Sequence, residues 1–321
     1  MTGLAVTAAV ARPPATNSPT RAALRRLAAD RTAMTCAVLL GVFVLVALLA
    51  PVLTGIEGQT PAGQHTELID AYGYPTIGPD AQHWFGVEPR LGRDLFARWA
   101  YGTRPSLIVA VSASVATTVL GVGFGLISGF VGGVLDRVIG WVIDFLLSLP
   151  MILFVFALVP VVSLWFGTDA DRGPALNSAI RLWTLVCVFA LFGWPSLARL
   201  IRGEVLSLRE RDFISAARVI GMPTWRVLLG ELLPNLTGPI VVGLSLAIPG
   251  YVTAEAGLSF LGVGLIEPTA SWGRTIADAT NYYASDPLYL WIPAASVLVL
   301  VLCLNLLGDA VRDAFDPTNR R

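Results

Sequence analysis

Six long apolar runs constrain the fold of this chain more than any other feature. They lie at about 34–54, 106–130, 138–161, 182–200, 236–256 and 288–307. As an α-helix that rises about 1.5 Å per residue, each run can cross about 30 Å of hydrocarbon. The runs are continuous rather than alternating, which argues against a β-barrel. We therefore predict an all-α, polytopic membrane protein with six transmembrane helices.

The overall composition agrees with a membrane location. Of the 321 residues, 55% are hydrophobic and only 14% are charged, whereas soluble domains average about 25% charged residues. The 22 basic and 22 acidic residues give a formal net charge of zero, so no nucleic acid partner is expected. Every basic residue is an arginine. Without a lysine, the chain cannot form an ordinary P-loop, whose lysine contacts the phosphates of ATP.

Cysteine and histidine give no sign of a disulfide framework or a metal site. The three cysteines, Cys36, Cys187 and Cys303, all lie in apolar runs, which is typical of small buried side chains. The two histidines, His65 and His83, lie in a polar loop, where we expect packing or surface roles rather than metal binding. We predict no cofactor, no metal and no catalytic residue.

The distribution of arginine predicts how the helices are oriented. With six spans, both termini share one side of the membrane, and fifteen of the 22 arginines fall on that side. Because cytoplasmic loops carry an excess of positive charge, both termini are predicted to be cytoplasmic. The segment 85–105 fits this rule least well, since it places four arginines on the opposite side.

The apolar runs divide the chain into tails, spans and two hydrophilic loops. The first run begins too late and is too long for a signal peptide, so we interpret it as a retained helix. The predicted segments are a cytoplasmic tail at 1–33, a first helix at 34–54, an extracytoplasmic loop at 55–105, a transmembrane core at 106–308 with a cytoplasmic loop at 201–235, and a cytoplasmic tail at 309–321. Within the extracytoplasmic loop, 93–99 is predicted to form a short amphipathic helix.

The cytoplasmic loop contains the pattern of a short docking helix. Four residues fall on one helical face: Phe213, Ala216, Ala217 and Ile220. Charged residues of both signs border this face, among them Arg211 and Asp212. Gly221 is predicted to end the helix, and Pro223 prevents its continuation. The small alanine face favours insertion into a groove of another protein; an interfacial helix lying on the bilayer is the alternative.

The docking-helix loop and four further segments of the sequence resemble a known family. Ser215-Ala216-Ala217, with Gly221 four residues later and then Leu233-Pro234, resembles the "EAA" loop of ABC-importer permeases. Four further segments resemble signatures of the dipeptide/oligopeptide/nickel permeases, and they lie at 83–107, 129–137, 254–264 and 308–317. Together these motifs resemble the "C" permease subunit of a dipeptide-type importer. The glutamate of the motif is replaced by Ser215, so its contacts are missing or supplied by Glu210 or Asp212.

The resemblance implies a fold, a mechanism and a set of partners. The fold would be that of an ABC type I importer permease in the cell membrane, in contact with lipid. The partners would be a homologous second permease, two ABC ATPase subunits that hydrolyse ATP, and an extracytoplasmic substrate-binding protein, so this chain would not itself be an enzyme. The implied ATPase-docking residues are Arg211, Asp212, Phe213, Ala216, Ala217, Ile220 and Gly221.

The substrate is left open by the sequence. The resemblance favours import of di- or oligopeptides by alternating access, with nickel or another small solute, such as a haem-like ligand, as alternatives. A stand-alone secondary transporter would be expected to show paired pathway charges or inverted repeats, and neither is visible in the sequence.

The third predicted span contains a carboxylate at membrane depth. Such groups rarely face lipid, so Asp144 is predicted either to serve the pathway, alone or in an ion pair between helices, or to act as a polar clasp to a neighbouring helix. Asp136 and Arg137, at the cytoplasmic turn, are predicted to be a solvated or headgroup pair. Pro150 and Pro249 are predicted to kink the third and fifth spans.

The outer end of the fifth span combines an acid with several glycines. Glu255 directly precedes Gly257 and Gly262, and glycines at this density are predicted to break the helix. Irregular backbone at membrane depth is tolerated where protein or water surrounds it. We interpret 257–266 as an outer gate near the pore mouth, with Glu255 as a gate residue or a satisfied interfacial acid.

Overall fold

The computed structural model describes residues 19–166 and 173–315, and these residues are mainly helical, without a β-strand. The described residues contain twelve α-helices: α1 (Pro19–Ala29), α2 (Arg31–Glu57), α3 (Leu95–Val131), α4 (Gly133–Ser148), α5 (Met151–Trp165), α6 (Pro174–Leu208), α7 (Asp212–Val219), α8 (Thr224–Arg226), α9 (Leu233–Asn235), α10 (Thr237–Phe260), α11 (Trp272–Ala279) and α12 (Pro287–Phe315). A π-helical turn, Val227–Leu232, joins α8 to α9.

Five of these helices are long and apolar enough to span a membrane: α2, α3, α6, α10 and α12. The third apolar run is instead divided into α4 and α5, which are bent by 91° relative to each other. Proline has no N–H to donate and disfavours helical backbone in the residue before it, and Leu149, before Pro150, is extended at φ −85° and ψ 134°. The kink predicted at Pro150 is therefore a break, and the predicted third span is a bent pair of helices. The helix α10, by contrast, continues through Pro249.

The helix α3 begins earlier than the hydropathy of the sequence indicates. Asp94 caps its N-terminus by accepting a hydrogen bond of 2.6 Å from the backbone N–H of Ala97. The helix predicted at 93–99 is not a separate short one, because Asp94 caps α3, residues 95–99 form its first turn, and nearly all of 93–99 is buried. They are covered by loops from distant parts of the sequence, which a local pattern does not reveal.

The N-terminal region contains a helix before the first span. The helix α1 packs against α12 and α2, and Asp30 separates it from α2 by capping the α2 N-terminus through the N–H groups of Thr32 and Ala33. The predicted tail at 1–33 is therefore helical from Pro19 onward; its first 18 residues, and residues 316–321 of the C-terminal tail, lie outside the described residues.

The helices α3 and α6 form the central pair of the fold. Three glycines of α3, spaced four residues apart, face α6: Gly121, Gly125 and Gly129. A Cβ at Gly121 would lie 2.9 Å from the Cβ of Leu197, and one at Gly129 would lie 2.8 Å from the Cβ of Val205. Small residues at this spacing allow two helix backbones to approach closely within a membrane, so α3 and α6 pack as one unit.

Candidate functional site

The predicted docking helix is present as α7, and its residues divide between two faces. Ile214 and Ala217 are buried against a core that includes Ile201 and Leu232. The outward face carries Phe213, Ala216 and Ile220, all exposed. The structure thus places Ala217 against its own chain, whereas the predicted docking stripe had it facing a partner. The sequence periodicity identifies which residues share one side of α7. Which of these residues face inward depends on the core against which α7 packs.

The end of α7 agrees with the prediction. Gly221 adopts φ +76°, a left-handed conformation that glycine reaches without strain. Its N–H donates to the carbonyl of Arg218 at 3.0 Å, and the N–H of Met222 donates to the carbonyl of Ala217 at 3.0 Å. These bonds close the helix C-terminus, as in a Schellman-type cap. The chain therefore turns sharply away from α7 at Gly221.

Two arginines attach α7 to the end of α3. Arg209 donates a hydrogen bond of 3.1 Å to the carbonyl of Gly129, and the guanidinium of Arg218 lies 4.6 Å from the centre of the Phe130 ring. A cation over an aromatic face is attractive at this distance. Because Arg209 directly follows α6 and Arg218 lies in α7, these contacts connect α7 and the residues before it to the end of α3. Arg211 and Asp212, at the start of α7, are exposed.

The α7 segment, which we define as residues 209–236, presents an extended apolar surface. The helix α6 continues to Leu208, so the loop predicted at 201–235 begins later than residue 201. Large apolar side chains are exposed along the segment: Phe213 (39%), Val219 (87%), Ile220 (75%), Trp225 (59%) and Leu229 (55%). Contiguous apolar surface bordered by charges is characteristic of an interaction site.

A cavity of about 960 Å³ lies beside the central helices. Its walls come from the α4–α5 bend, from α6 and from α10, and most of the lining side chains are apolar. Gly257 contributes to this lining, and it lies inside α10 rather than at a helix break. The helix ends only at Phe260, and Gly262 then adopts φ +79°. The helix therefore ends within the segment 257–266 where the glycines were predicted to break it, although the irregular backbone begins only after Phe260.

Glu255 lies behind the wall of this cavity. It is fully buried, and its carboxylate accepts hydrogen bonds from the hydroxyl groups of Ser106 (2.6 Å), Ser259 (2.8 Å) and Ser271 (3.2 Å). These bonds join α10 to α3 and to the start of α11. Its location is interior rather than interfacial, and its part in gating stays a prediction.

Two acids of α4 are paired with arginines of α6. Asp144 forms an ion pair with Arg199, a contact between helices that fits both predicted alternatives, the pathway or ion-pair role and the polar clasp. Asp136 accepts two hydrogen bonds from Arg202, at 2.6 and 2.8 Å, and one of 2.5 Å from Ser128. The prediction that Asp136 is a solvated partner of its neighbour is wrong, because helix packing brings Arg202 closer.

A charged network that the sequence did not predict lies at the opposite end of the molecule from α7. We name this region the charged cap and define it as the loops 58–94 and 261–286 together with the first turn of α3, residues 95–98. Arg98, at the start of α3, is 1% exposed; it donates a hydrogen bond of 2.7 Å to Glu267 and lies 3.2 Å from Glu88. The network therefore fixes both loops of the cap to α3.

Arg93 completes the network by pairing with both acids. It lies 2.9 Å from Glu267 and also forms an ion pair with Glu88. Burial raises the pKa of Glu267, but the charges of Arg98 and Arg93 and their hydrogen bonds outweigh burial and hold that pKa below its ordinary value. The signal that could have revealed this network is the cluster of four arginines in 85–105, which fits the rule for charge distribution poorly because two of its members are buried ion-pair partners.

The histidines pack within the same cap. His83 is buried and lies 2.9 Å from the carboxylate of Asp94, the capping residue of α3. The ring of His65 contacts that of His83 edge-on at 5.0 Å. Both side chains are thus in loop-packing positions.

The comparisons with known proteins identify the class. Residues 121–321 match the family described as "Binding-protein-dependent transport system inner membrane component". Residues 18–68 match the "N-terminal TM domain of oligopeptide transport permease C". The chain belongs to the family of inner-membrane components of binding-protein-dependent transport systems, and it is an ABC importer permease subunit of type I fold. The resemblance inferred from the motifs is confirmed, as are the all-helical fold class and the membrane location.

Individual relatives extend the comparison over most of the chain. The sequence is 34% identical to the dipeptide transport system permease protein DppC of Alkalihalophilus pseudofirmus, over 94% of this chain and 90% of that protein. It is 36% identical to the oligopeptide transport system permease protein OppC of Mycobacterium bovis, over 75% and 78%. The fold is similar to that of the inward-facing MetNI methionine ABC transporter, with a TM-score of 0.50 and 17% identity over 66% of this chain and 93% of that chain.

Proposed function

We propose that this permease forms half of a translocation pathway for di- or oligopeptides and works by alternating access. A second, homologous permease forms the other half. Two ATPase subunits hydrolyse ATP, and an extracytoplasmic binding protein delivers the peptide. The observation that carries the proposal is α7, which is fixed to its own chain through Ile214 and Ala217 while Phe213, Ala216 and Ile220 stay exposed.

The contacts of α7 supply a route for coupling. A force applied to its exposed face by an ATPase passes to α3 through Arg209 and Arg218. The helix α3 is packed closely on α6 along its glycine stripe, and α6 forms one wall of the cavity. Movement of α7 therefore changes the shape of the cavity, and no chemical step takes place on this chain.

The cavity supports a peptide-sized substrate. Its volume of about 960 Å³ is at the upper end of the range of about 300–1,000 Å³ that is typical of small-molecule sites. Relatives named for dipeptide and oligopeptide transport support the same substrate class. Nickel or a haem-like ligand is the alternative, and substrate competition against dipeptide uptake separates the three.

Ala216→Arg tests the docking role of α7. The substitution places a large charged side chain at the centre of the exposed face, and it leaves the packing of Ile214 and Ala217 intact. We expect normal membrane insertion, loss of ATPase co-purification and loss of dipeptide uptake. Ala28→Arg, on the exposed side of α1, is the matched control and retains all three. Full ATPase association and uptake in Ala216→Arg would refute the docking role.

We also propose that both termini are cytoplasmic, as the arginine distribution supports. Tyr72 (85% exposed) and Glu210 (side chain 75% exposed) offer accessible positions at opposite ends of the molecule. In a chain whose exposed Cys187 is replaced by alanine, Tyr72→Cys should react with a membrane-impermeant thiol reagent on intact cells. Glu210→Cys should react only after permeabilisation. The reverse labelling would overturn the orientation.

A further inference from the structure

Two ion pairs join α4 to α6, and they differ sharply in exposure. In the pair of Asp136 and Arg202, the side chains are 20% and 35% exposed, whereas in the pair of Asp144 and Arg199 they are 73% and 56% exposed. The first pair also has a bidentate geometry and a third hydrogen bond from Ser128. It is therefore the stronger clasp between α4 and α6, and the exposed pair contributes less to holding these helices together.

The exposed pair lies next to the cavity. Arg199 follows the cavity-lining Ser196 by three residues on α6, and Asp144 precedes the cavity-lining Leu147 by three residues on α4. Residues three apart share one face of a helix. Because Arg199 lies between the cavity wall and the C-terminal end of α6, the pair is at the end of the cavity nearer to α7.

Charged side chains within membrane-spanning segments face protein or water rather than lipid. Asp144 and Arg199 would face water rather than lipid if they line the pathway through which a charged substrate passes. An exposed ion pair holds its partners weakly, so each charge is available to a second partner. A guanidinium is also well suited to bind a carboxylate through two parallel hydrogen bonds.

We propose that Asp144 and Arg199 form a binding site for the charged ends of a peptide as it leaves the cavity. This inference rests on the proposed peptide function and extends it to a specific site. Arg199 binds the α-carboxylate and Asp144 binds the α-ammonium group, so a zwitterionic substrate exchanges with the ion pair and leaves no charge uncompensated. Charged side chains of the peptide interact with the same two residues.

The test uses the complete importer in proteoliposomes, with its binding protein saturated in turn by alanyl-arginine, alanyl-alanine and alanyl-glutamate. For each variant, the ratio of alanyl-arginine uptake to alanyl-glutamate uptake is divided by the same ratio for the wild type. The binding protein is the same in both measurements, so its preference for either peptide cancels. Arg199→Gln leaves Asp144 unopposed and should raise this ratio by about threefold, the scale of a single exposed charge interaction. Asp144→Asn should lower it by a similar factor.

The clasping pair provides the matched controls. Asp136→Asn and Arg202→Gln remove the same charges from the same helices and should change the uptake of all three peptides equally, with the ratio unchanged. An unchanged ratio in both Arg199→Gln and Asp144→Asn would overturn the inference, whether or not the second permease still co-purifies. If the wild-type importer takes up none of the three peptides, the proposed peptide function fails and this site fails with it.

Discussion

The charged cap and the α7 segment are stabilised by different interactions: ion pairs hold the cap, and apolar packing holds the α7 segment. In the cap, buried charges satisfy one another: Arg98 and Arg93 lie between Glu88 and Glu267. In the α7 segment, the inward side is fixed by apolar packing, and large apolar side chains are left exposed. The charges of the cap are therefore neutralised within this chain, whereas the α7 segment leaves large apolar side chains that this chain does not cover. Damage to the cap should affect the fold, and damage to the α7 segment should affect assembly.

The largest effect is expected from Arg98→Met in the cap. The substitution keeps an apolar stem but leaves two carboxylates, Glu88 and Glu267, with only Arg93 between them. Breaking a buried ion pair by removing one partner costs about 3–5 kcal/mol. We expect a lower thermal midpoint and reduced yield of the detergent-purified chain. Arg90→Met changes an exposed arginine of the same cap and should leave the midpoint unchanged; equal midpoints for the two variants would contradict the role of the network.

The sequence predicts the α7 segment better than the cap because the two regions encode their contacts differently. The helix end at Gly221 follows from one glycine and one proline, which act on the local backbone. Arg98 and Glu267 are 169 residues apart, so no local pattern distinguishes them from solvated loop charges. The inward orientation of Ala217 likewise depends on a core assembled from separate helices.

In the transmembrane region, too, the sequence predicts local structure better than contacts between distant residues. Apolar runs predict the long helices because crossing hydrocarbon requires continuous hydrophobicity. The glycine stripe of α3 lies within such a run, but its partner α6 is identified only by the packing. The break at Pro150 was predictable as a kink, and its 91° angle depends on how α4 and α5 pack on α6. Which helices pack together, and the angle between α4 and α5, thus depend on tertiary contacts. The existence of the helices follows from the local sequence.

A smaller effect is expected from Gly221→Ala, which tests whether the α7 segment depends on its backbone turn. At φ +76° a Cβ is strained even though no atom lies within 4 Å of its position, and the cost is roughly 1 kcal/mol. We expect normal insertion and about a fivefold weaker ATPase association, measured by titrating the ATPase against the permease in nanodiscs. Gly203→Ala, in α6, also has open space but an ordinary helical φ. It should bind the ATPase as the wild type does, and equal weakening in both variants would contradict the role of the turn.

The smallest effect is expected from Glu255→Gln, which tests a buried acid outside both regions. The three serine hydroxyls around Glu255 can each donate or accept a hydrogen bond. A glutamine oxygen can therefore keep the bonds from Ser259 and Ser271, and its amide can donate to Ser106. If Glu255 acts by holding α3, α10 and α11 together, Glu255→Gln should retain dipeptide uptake within about twofold, because a net hydrogen bond contributes only about 1 kcal/mol. Glu255→Ala leaves all three hydroxyls without this partner and should lower the thermal midpoint. If Glu255→Gln abolishes uptake while the midpoint stays at the wild-type value, the charge itself acts in transport, and the gate role predicted from the sequence would be favoured over a structural one.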